Sequence, residues 1–341
     1  MVIKYTTLKK ILLGLCVVVI VGCSSISPSG GSPNPDDGEQ DTKVPNNTDG
    51  EQDIAPTTIP DEDEQVAAPK TFTGTYEEHA LGGHTLIVQG SGDDQTKVLE
   101  IAPTTTTITR GSFGSSSYNT QPLITIQRLI IPNSVRSIGH NAFSNNKLTE
   151  LTIPNSVTSI GTGAFANNAL ETLTIPDSVT SIGQSAFAHN PITTLTIPNS
   201  VTSIGINAFF HNPITTLTIP NSVTSIGIGA FWENELTTLK LPTSGFLTSI
   251  DEYAFYKNKL TELTIPASVT SIGDSAFDDN KLTTLTILGS VESIGRSAFS
   301  NNPNIKNVTI PRGAYDRLGR SALRQAFPSN PTFWDENGNA Y

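Results

Sequence analysis

Apolar residues recur at fixed positions in a phrase of 22 residues that fills most of the chain. The phrase reads L-T-I-P-N-S-V-T-S-I-G-x-x-A-F-x-x-N-x-L-T-x, and its copies begin at Leu129, Leu151, Leu173, Leu195, Leu217, Leu239, Leu263, Leu285 and, in degraded form, Val308. The spacing is 22 residues except after Leu239, where it is 24, and after Leu285, where it is 23. A fixed period in this range is typical of solenoids, in which each repeat is one coil and its neighbours complete its core.

Each part of the phrase predicts one part of the coil. Leu-Thr-Ile alternates apolar and polar residues as a half-buried strand does, and stacked copies predict a parallel sheet with strands ~4.8 Å apart. The following proline lacks an N–H and suits the end of that ladder. We expect Ser-Val-Thr-Ser-Ile-Gly to turn the corner, with its glycine in a conformation that other residues resist. G-x-x-A-F-x-x-N fits one short helical turn with Ala and Phe packed inward.

An asparagine closes that turn in eight copies. Its amide both donates and accepts hydrogen bonds, so it can satisfy backbone groups that the coil buries. This favours a structural ladder over a binding site for Asn146, Asn168, Asn190, Asn212, Asn234, Asn258, Asn280 and Asn302.

The phrase resembles the BspA-like leucine-rich repeats of bacterial and protist surface proteins, and the match covers residues 129–311. The family often has Cys where this chain has Asn, and its repeat is commonly one residue longer. The resemblance implies a repeat solenoid: a right-handed leucine-rich-repeat coil with a parallel β-sheet on one face and short helical turns or loops on the other. It also implies display at the cell surface and adhesion or partner binding, and it supplies no catalytic residues.

Atypical segments flank the repeats. Residues 71–128 are interpreted as an N-terminal cap that contains a degenerate copy and a hairpin between strands His84–Val88 and Lys97–Ile101. Residues 312–341 are interpreted as a C-terminal cap, with a helix over Arg317–Phe327 and with Phe333 and Trp334 packed over the last coil. The degenerate copy places four residues in register with the phrase: Leu99, Ile101, Ile108 and Phe113.

Residues 1–22 predict a signal peptide, because lysines precede an apolar run from Ile11 to Val21 that is too short to span a membrane. The segment ends Ile-Val-Gly-Cys23, which resembles a bacterial lipobox and implies cleavage before Cys23 and lipid attachment to it. Ordinary secretion with a chance cysteine is the alternative. Residues 23–70 are then the lipidated Cys and a disordered acidic tether. The expected location is the bacterial outer membrane or cell surface.

The net charge of −11 is distributed unevenly between the tether and the rest of the chain. The tether holds 11 acidic residues and 2 lysines, whereas residues 71–341 hold 15 basic and 20 acidic ones. The acidity therefore belongs mostly to a solvated spacer, and no basic patch indicates nucleic acid.

The sequence contains no catalytic constellation. Its five histidines are scattered, and G-x-S-x-G, Walker and H-E-x-x-H motifs do not occur. His189 and His211 hold the same position in adjacent copies. Two histidines are too few ligands for a metal site, which needs three or four donors. We therefore predict a protein that is not an enzyme, with no cofactor, metal or small-molecule substrate.

Aromatic residues follow the repeat Phe in three consecutive copies, at Phe210, Trp232 and Tyr256. We call these three the aromatic row. Ile206 and Ile228 are apolar in the same region, and the two-residue expansion brings in Phe246. These six residues are the candidate ligand-binding site. The alternative is that the rings only shield the core.

Threonines flank the strand leucine on many copies and define a secondary candidate face at Thr174, Thr196, Thr218 and Lys240. Threonine is an ordinary exposed strand residue. The array also resembles the T-x-T faces of ice-binding solenoids, although Lys240, Glu150 and Glu262 interrupt it.

The sequence therefore predicts a lipid-anchored bacterial surface protein whose solenoid binds an extracellular protein or glycan, with adhesion to host or other cells as the expected role. The rival is a structural envelope or spacer protein without a specific ligand, followed by a glycan- or ice-binding solenoid. Exposure of the aromatic row would favour binding, and its burial would favour the spacer.

Overall fold

The computed structural model describes residues 78–81, 84–89, 96–114, 125–289 and 291–341. The predicted signal peptide, Cys23, the tether and residues 71–77 lie outside the described residues.

The chain winds as a parallel β-solenoid, which confirms the predicted fold class. The first set of strands comes mainly from the Leu-Thr-Ile segments, and equivalent residues such as Leu173 and Leu195 lie side by side in register. These strands are β1 (Glu78–Leu81), β2 (His84–Gln89), β3 (Thr96–Glu100), β5 (Arg128–Ile130), β8 (Thr172–Thr174), β10 (Thr194–Thr196), β12 (Thr216–Thr218), β14 (Thr238–Lys240), β16 (Glu262–Ile265), β18 (Thr284–Ile287), β20 (Asn307–Thr309) and β21 (Thr332–Trp334). Hydrogen bonds group them as β1-β2-β3-β5, β8-β10, β12-β14 and β16-β18-β20-β21.

The Ser-Ile pairs form a second parallel sheet, which the sequence did not predict. Its two-residue strands are β4 (Thr107–Ile108), β6 (Ser137–Ile138), β7 (Ser159–Ile160), β9 (Ser181–Ile182), β11 (Ser203–Ile204), β13 (Ser225–Ile226), β15 (Ser249–Ile250), β17 (Ser271–Ile272) and β19 (Ser293–Ile294). They follow one another in chain order through nine strands. The segment expected only to turn the corner thus adds a second face to each coil.

A glycine follows the Ser-Ile pair in most coils and allows close packing there, whereas Asp251 takes this position after Ser249–Ile250. The prediction of an unusual backbone conformation was wrong, because the positive-φ glycines do not include Gly161, Gly183 or Gly205. A Cβ on Gly183 would instead lie 2.6 Å from the carbonyl carbon of Gly161 and 2.7 Å from the Ile160 oxygen. A side chain at Gly183 would therefore push these two coils apart.

The G-x-x-A-F-x-x-N segments are hydrogen-bonded turns, and residues 125–289 contain no α-helix. Two residues per coil have left-handed φ, such as Asn207 (53°) and His211 (56°). The N–H groups of Asn207, Phe209 and His211 donate to carbonyls of the next coil at 2.8–2.9 Å. Every second N–H of this segment thus points to the next coil, while the Ala208 and Phe210 N–H groups donate within their own coil.

The core lies between the two sets of strands and the turn segments. In one coil Val157, Ile160, Ala164, Phe165 and Leu170 are buried. The repeat Phe rings stack from Phe113 to Phe327 with centroids 4.7–5.7 Å apart and planes 5–13° apart.

Apart from Asn234, each repeat asparagine links at least three backbone groups. Asn280 Nδ2 donates to the Phe255 oxygen of the preceding coil (3.0 Å) and to the Phe277 oxygen of its own coil (3.1 Å). Its Oδ1 accepts from the Leu260 N–H at 3.1 Å. This is the structural ladder that the sequence predicted.

The flanking segments continue the ladders. The predicted hairpin is confirmed by antiparallel pairing of β2 with β3, and β3 pairs in turn with β5. At the other end, helix α1 (Arg312–Ala326) begins at Arg312 rather than Arg317 and is kinked at Gly319. Phe327 stacks on Phe299 at 4.7 Å, and β21 pairs with β20. The role of both segments as caps stays a prediction.

Candidate ligand-binding site

The turn segment places the aromatic row on the surface. The preceding Phe of each coil points into the core, so the next residue lies at its outer edge. The Phe210 and Trp232 ring centroids are 5.0 Å apart, and those of Trp232 and Tyr256 are 5.6 Å apart. All three side chains are half-buried. The structure therefore brings the predicted row together as a contiguous surface.

Tyr253 belongs to the same surface and was missed by the sequence argument. Its ring lies 5.8 Å from Trp232 and 5.6 Å from Tyr256, and 38% of the residue is exposed. It occupies a left-handed turn position (φ 57°) at which other coils carry Asn, Gly or Ser. A comparison of that position between copies would have found it. We call Phe210, Trp232, Tyr253 and Tyr256 the aromatic cluster.

A polar row borders the aromatic cluster, formed by the next residue of each coil: His189, His211, Glu233 and Lys257. Glu233 accepts from Lys257 Nζ at 2.8 Å and lies 3.3 Å from His211 Nδ1. The hydrogen bond from Lys257 is the main cause that lowers the pKa of the Glu233 carboxyl, and the same contact raises the pKa of Lys257.

His189 joins the polar row to the rings. Its imidazole packs edge-on against Phe210 at 4.9 Å and lies 5.2 Å from the His211 ring. Burial is the main cause that lowers the pKa of His189; nearby His211 lowers it further, and Glu233 opposes the shift. The cluster therefore has a mixed border of donors and acceptors.

The other predicted residues fall into two places. Ile206 and Ile228 are 40% and 39% exposed, and they lie in the turn segments that carry Phe210 and Trp232. Phe246 is 74% exposed, but its loop joins β14 to β15 and packs beside Asn221. No ring contact links it to the aromatic cluster within the described residues.

The coil that contains Trp232 departs from the asparagine hydrogen bonding of the other coils. The buried indole Nε1 of Trp232 and the buried Oδ1 of Asn234 have no hydrogen-bond partner among the described residues. An unpaired buried polar group costs about 1–3 kcal/mol. The fold alone therefore gives no reason to prefer tryptophan here.

The threonine face is only partly regular. Thr174 lies beside Thr196 in register, whereas Thr218 lies beside Lys240 in a separate two-stranded sheet. All four side chains are exposed. The break between the sheets limits any continuous hydroxyl array.

The described residues contain no group of three or more His, Cys, Asp or Glu side chains placed to hold a metal ion. None of their helices has both the length and the apolar character needed to cross a bilayer.

The family model described as "BspA type Leucine rich repeat region" matches six copies over residues 112–237 and 202–328, more than half of the chain. Similar solved structures include leucine-rich repeat proteins from Bacteroides ovatus (21% identity, 69% of this chain and 76% of that chain, TM-score 0.35) and Eubacterium ventriosum (20%, 72% and 82%, 0.41). A leucine rich cell surface protein from Faecalibacterium prausnitzii is 19% identical over 77% of this chain and 96% of that chain, with a TM-score of 0.30. No curated protein matches the sequence.

Proposed function

The chain belongs to the BspA-type leucine-rich repeat family, and on that premise we propose that it is a bacterial surface protein that binds an extracellular protein or glycan through the aromatic cluster. Adhesion to host or other cells is the role this binding would serve. The solenoid acts as the rigid support, and the ligand is held without covalent chemistry.

The observation that carries the proposal is a group of four touching rings that the coil does not need. At the position of the aromatic row, other coils have Ser144, Ala166, Ala188 or Ser300, and these coils close equally well. The core is already filled there by the repeat Phe, which is fully buried in each coil. Aromatic side chains that the fold does not require, gathered on one surface, are typical of binding hot spots.

The border of the aromatic cluster fits a macromolecular ligand. His211, Glu233 and Lys257 supply both donors and acceptors beside the rings, and Ile206 and Ile228 extend the apolar area. An apolar centre with a polar rim is the common anatomy of protein interfaces. The rings lie on an open surface of the coils, which suits a protein or a glycan better than a small substrate.

Surface display is part of the proposal. The lipobox-like segment ending in Cys23 supports lipid attachment, and the Faecalibacterium relative is titled a cell surface protein. We propose that the lipid holds the protein at the outer membrane or cell surface.

The test compares full-length protein with a Phe210→Ala/Trp232→Ala/Tyr256→Ala variant. Binding is measured on extracellular-matrix proteins, glycan arrays and whole bacterial cells. Loss of three hot-spot rings should weaken binding by about 30-fold or more. Thermal unfolding of both proteins checks that the fold is retained.

The matched control is Thr174→Ala/Thr196→Ala/Thr218→Ala, which changes three exposed residues on another face. This control should bind like the unchanged protein. Binding that survives in the aromatic variant but is lost in the threonine variant would contradict the proposal and move the site to the threonine face.

A structural spacer is the second candidate, and half-burial of the rings favours it. The Trp232 indole Nε1 lies wholly below the surface. Absence of binding by the full-length protein to every panel would support this candidate instead.

A further inference from the structure

Basic charge is concentrated at the C-terminal end of the described structure. Residues 293–341 contain six basic side chains and three acidic ones, whereas residues 125–292 contain seven basic and twelve acidic ones. The six are Arg296, Lys306, Arg312, Arg317, Arg320 and Arg324. A chain with a net charge of −11 thus has a net positive segment at its C-terminal end.

Helix α1 displays most of this charge on the surface. Ala314, Leu323 and Ala326 are buried against the last coil. The N–H groups of Ser297 and Phe299 donate to the carbonyls of Gln325 and Ala326 at 2.8 and 3.0 Å, which fixes the end of α1 to the solenoid. The four arginines of α1 lie on its exposed side: Arg312, Arg317, Arg320 and Arg324.

These guanidinium groups are not neutralised by the protein. The ion pairs of the described residues involve Arg128, His211, Lys257 and Lys259, and none involves Arg317, Arg320 or Arg324. Arg320 and Arg324 are four residues apart in the half of α1 that follows the break at Gly319. Like charges at this spacing repel one another across a helix surface. An anionic ligand would relieve that repulsion.

The surface along α1 is concave rather than flat. Two shallow depressions share Arg320. One is lined by Arg324 and Gln325, and the other by Arg312, Tyr315 and Tyr341 together with one carboxylate, that of Asp316. The helix is kinked between its two halves at Gly319, whose φ is 71°. A ligand that follows both depressions would pass several arginines in succession.

The chemistry of the surface selects among anionic partners. A guanidinium group binds sulfate or carboxylate through two parallel N–H bonds. The apolar side chains of α1 are used in packing, so the helix has no free apolar face to insert into lipid. Tyr341 stacks on Tyr315 at 4.0 Å and lies 4.9 Å beneath Arg312, so this ring is not free to stack a nucleic-acid base.

We propose that the arginine surface of α1 binds a linear anionic polysaccharide, one whose repeating sulfate or carboxylate groups contact Arg312, Arg320 and Arg324 in turn. This site is separate from the aromatic cluster and does not depend on the function proposed for it. It gives the protein a second, charge-driven contact at the C-terminal end of the solenoid.

The test measures binding of the full-length protein to a heparin oligosaccharide, with uncharged dextran of similar length as the reference. Heparin carries both sulfate and carboxylate groups. The Arg312→Gln/Arg320→Gln/Arg324→Gln variant should bind heparin about tenfold or more weakly, since each exposed charge pair contributes a modest amount. Binding of the unchanged protein should weaken as salt is added.

The control variant is Arg136→Gln/Lys147→Gln/Lys281→Gln, which removes the same charge from exposed positions on the repeats. It should lose less than about threefold, because screened charges away from the ligand contribute little. The Phe210→Ala/Trp232→Ala/Tyr256→Ala variant should bind heparin like the unchanged protein, which separates this site from the aromatic cluster.

Several results would overturn the proposal: no heparin binding by the unchanged protein, equal binding to dextran, or equal losses in the α1 variant and the control variant. Tighter binding to double-stranded DNA or to phosphatidylglycerol vesicles than to heparin would assign the surface to another class of ligand. Should the triple variant fail to fold, Arg320→Gln alone is decisive, because both depressions share Arg320. Unchanged heparin binding by that variant would also overturn the proposal.

Discussion

At the scale of single residues, the repeat asparagine shows how the coil satisfies its buried backbone. Asn280 is 4% exposed, and its amide bridges two Phe carbonyls and one Leu N–H from two coils. Neither a hydroxyl nor a carboxylate offers the same combination of two donated bonds and one accepted bond. This explains why asparagine recurs at this position through the array.

Replacing Asn280 by Ala should destabilise the protein. The buried Leu260 N–H loses its acceptor, and a buried group left unpaired costs about 1–3 kcal/mol. The Phe255 and Phe277 carbonyls each keep a hydrogen bond from another repeat asparagine, Asn258 and Asn302. Urea unfolding of the full-length chain measures the change in the free energy of unfolding. Asn199→Ala, at an exposed turn position, is the matched control and should change stability by less than about 0.5 kcal/mol. Equal stabilities of the two variants would contradict the ladder.

At the scale of elements, the sequence predicted those parts that have a repeating contrast between apolar and polar residues. Leu-Thr-Ile alternates, so its strand was predicted, and the invariant Ala-Phe pair indicated an inward-facing segment. The Ser-Ile strands were missed because two residues are too short to show an alternation. Their pairing depends on the close approach of coils at Gly183 and its equivalents, which only coordinates reveal.

The candidate site was predicted in part for similar reasons. Phe210, Trp232 and Tyr256 share one position of the phrase, so their proximity followed from the period. Tyr253 and His189 occupy left-handed positions, where residue types vary between copies and hide the pattern. The basic surface of α1 is hidden in the net charge of residues 71–341, because the acidic residues of the coils outweigh Arg312, Arg320 and Arg324 there.

The border of the aromatic cluster should make stability depend on pH. The pKa of His189 is lower in the folded protein than its ordinary value of 6.5, so the unfolded chain binds a proton more readily. The contribution of His189 to the free energy of unfolding should therefore be complete above pH 6.5, and it should be lost as the pH drops below that value. In a His189→Gln variant, this part of the loss of stability at low pH should be absent. Urea unfolding at a series of pH values measures it, and parallel profiles for the two proteins would refute the assignment.

At the scale of the whole molecule, each coil is stabilised by the coils on either side. Strand pairing, the Phe stack and the asparagine ladder all join a coil to its neighbours. The chain has two cysteines, at positions 16 and 23, so no disulfide can link residues of the repeats. Stability must then come from contacts between coils, as in other repeat proteins.

The proposed anchor also acts on the whole molecule. In a bacterial host, Cys23→Ala should move the protein from the membrane fraction to the soluble fraction or the medium, because several acyl chains on one residue give stable attachment. Cell fractionation with immunoblotting measures the change. Cys16→Ala is the matched control, since that residue lies in the predicted signal peptide. Membrane retention of the Cys23 variant would rule out lipid attachment at this residue.

The two extra residues between Leu239 and Leu263 have a consequence for how the protein changes over time. The Phe231 and Phe255 rings on either side are 5.4 Å apart with planes 5° apart, no different from rings in coils of ordinary length. The added chain is accommodated in the loop that carries Phe246, outside the stack. Short in-frame duplications at this corner are therefore tolerated by the framework. A lineage can acquire new exposed loops there, and with them new contacts, while the rest of the array is inherited unaltered.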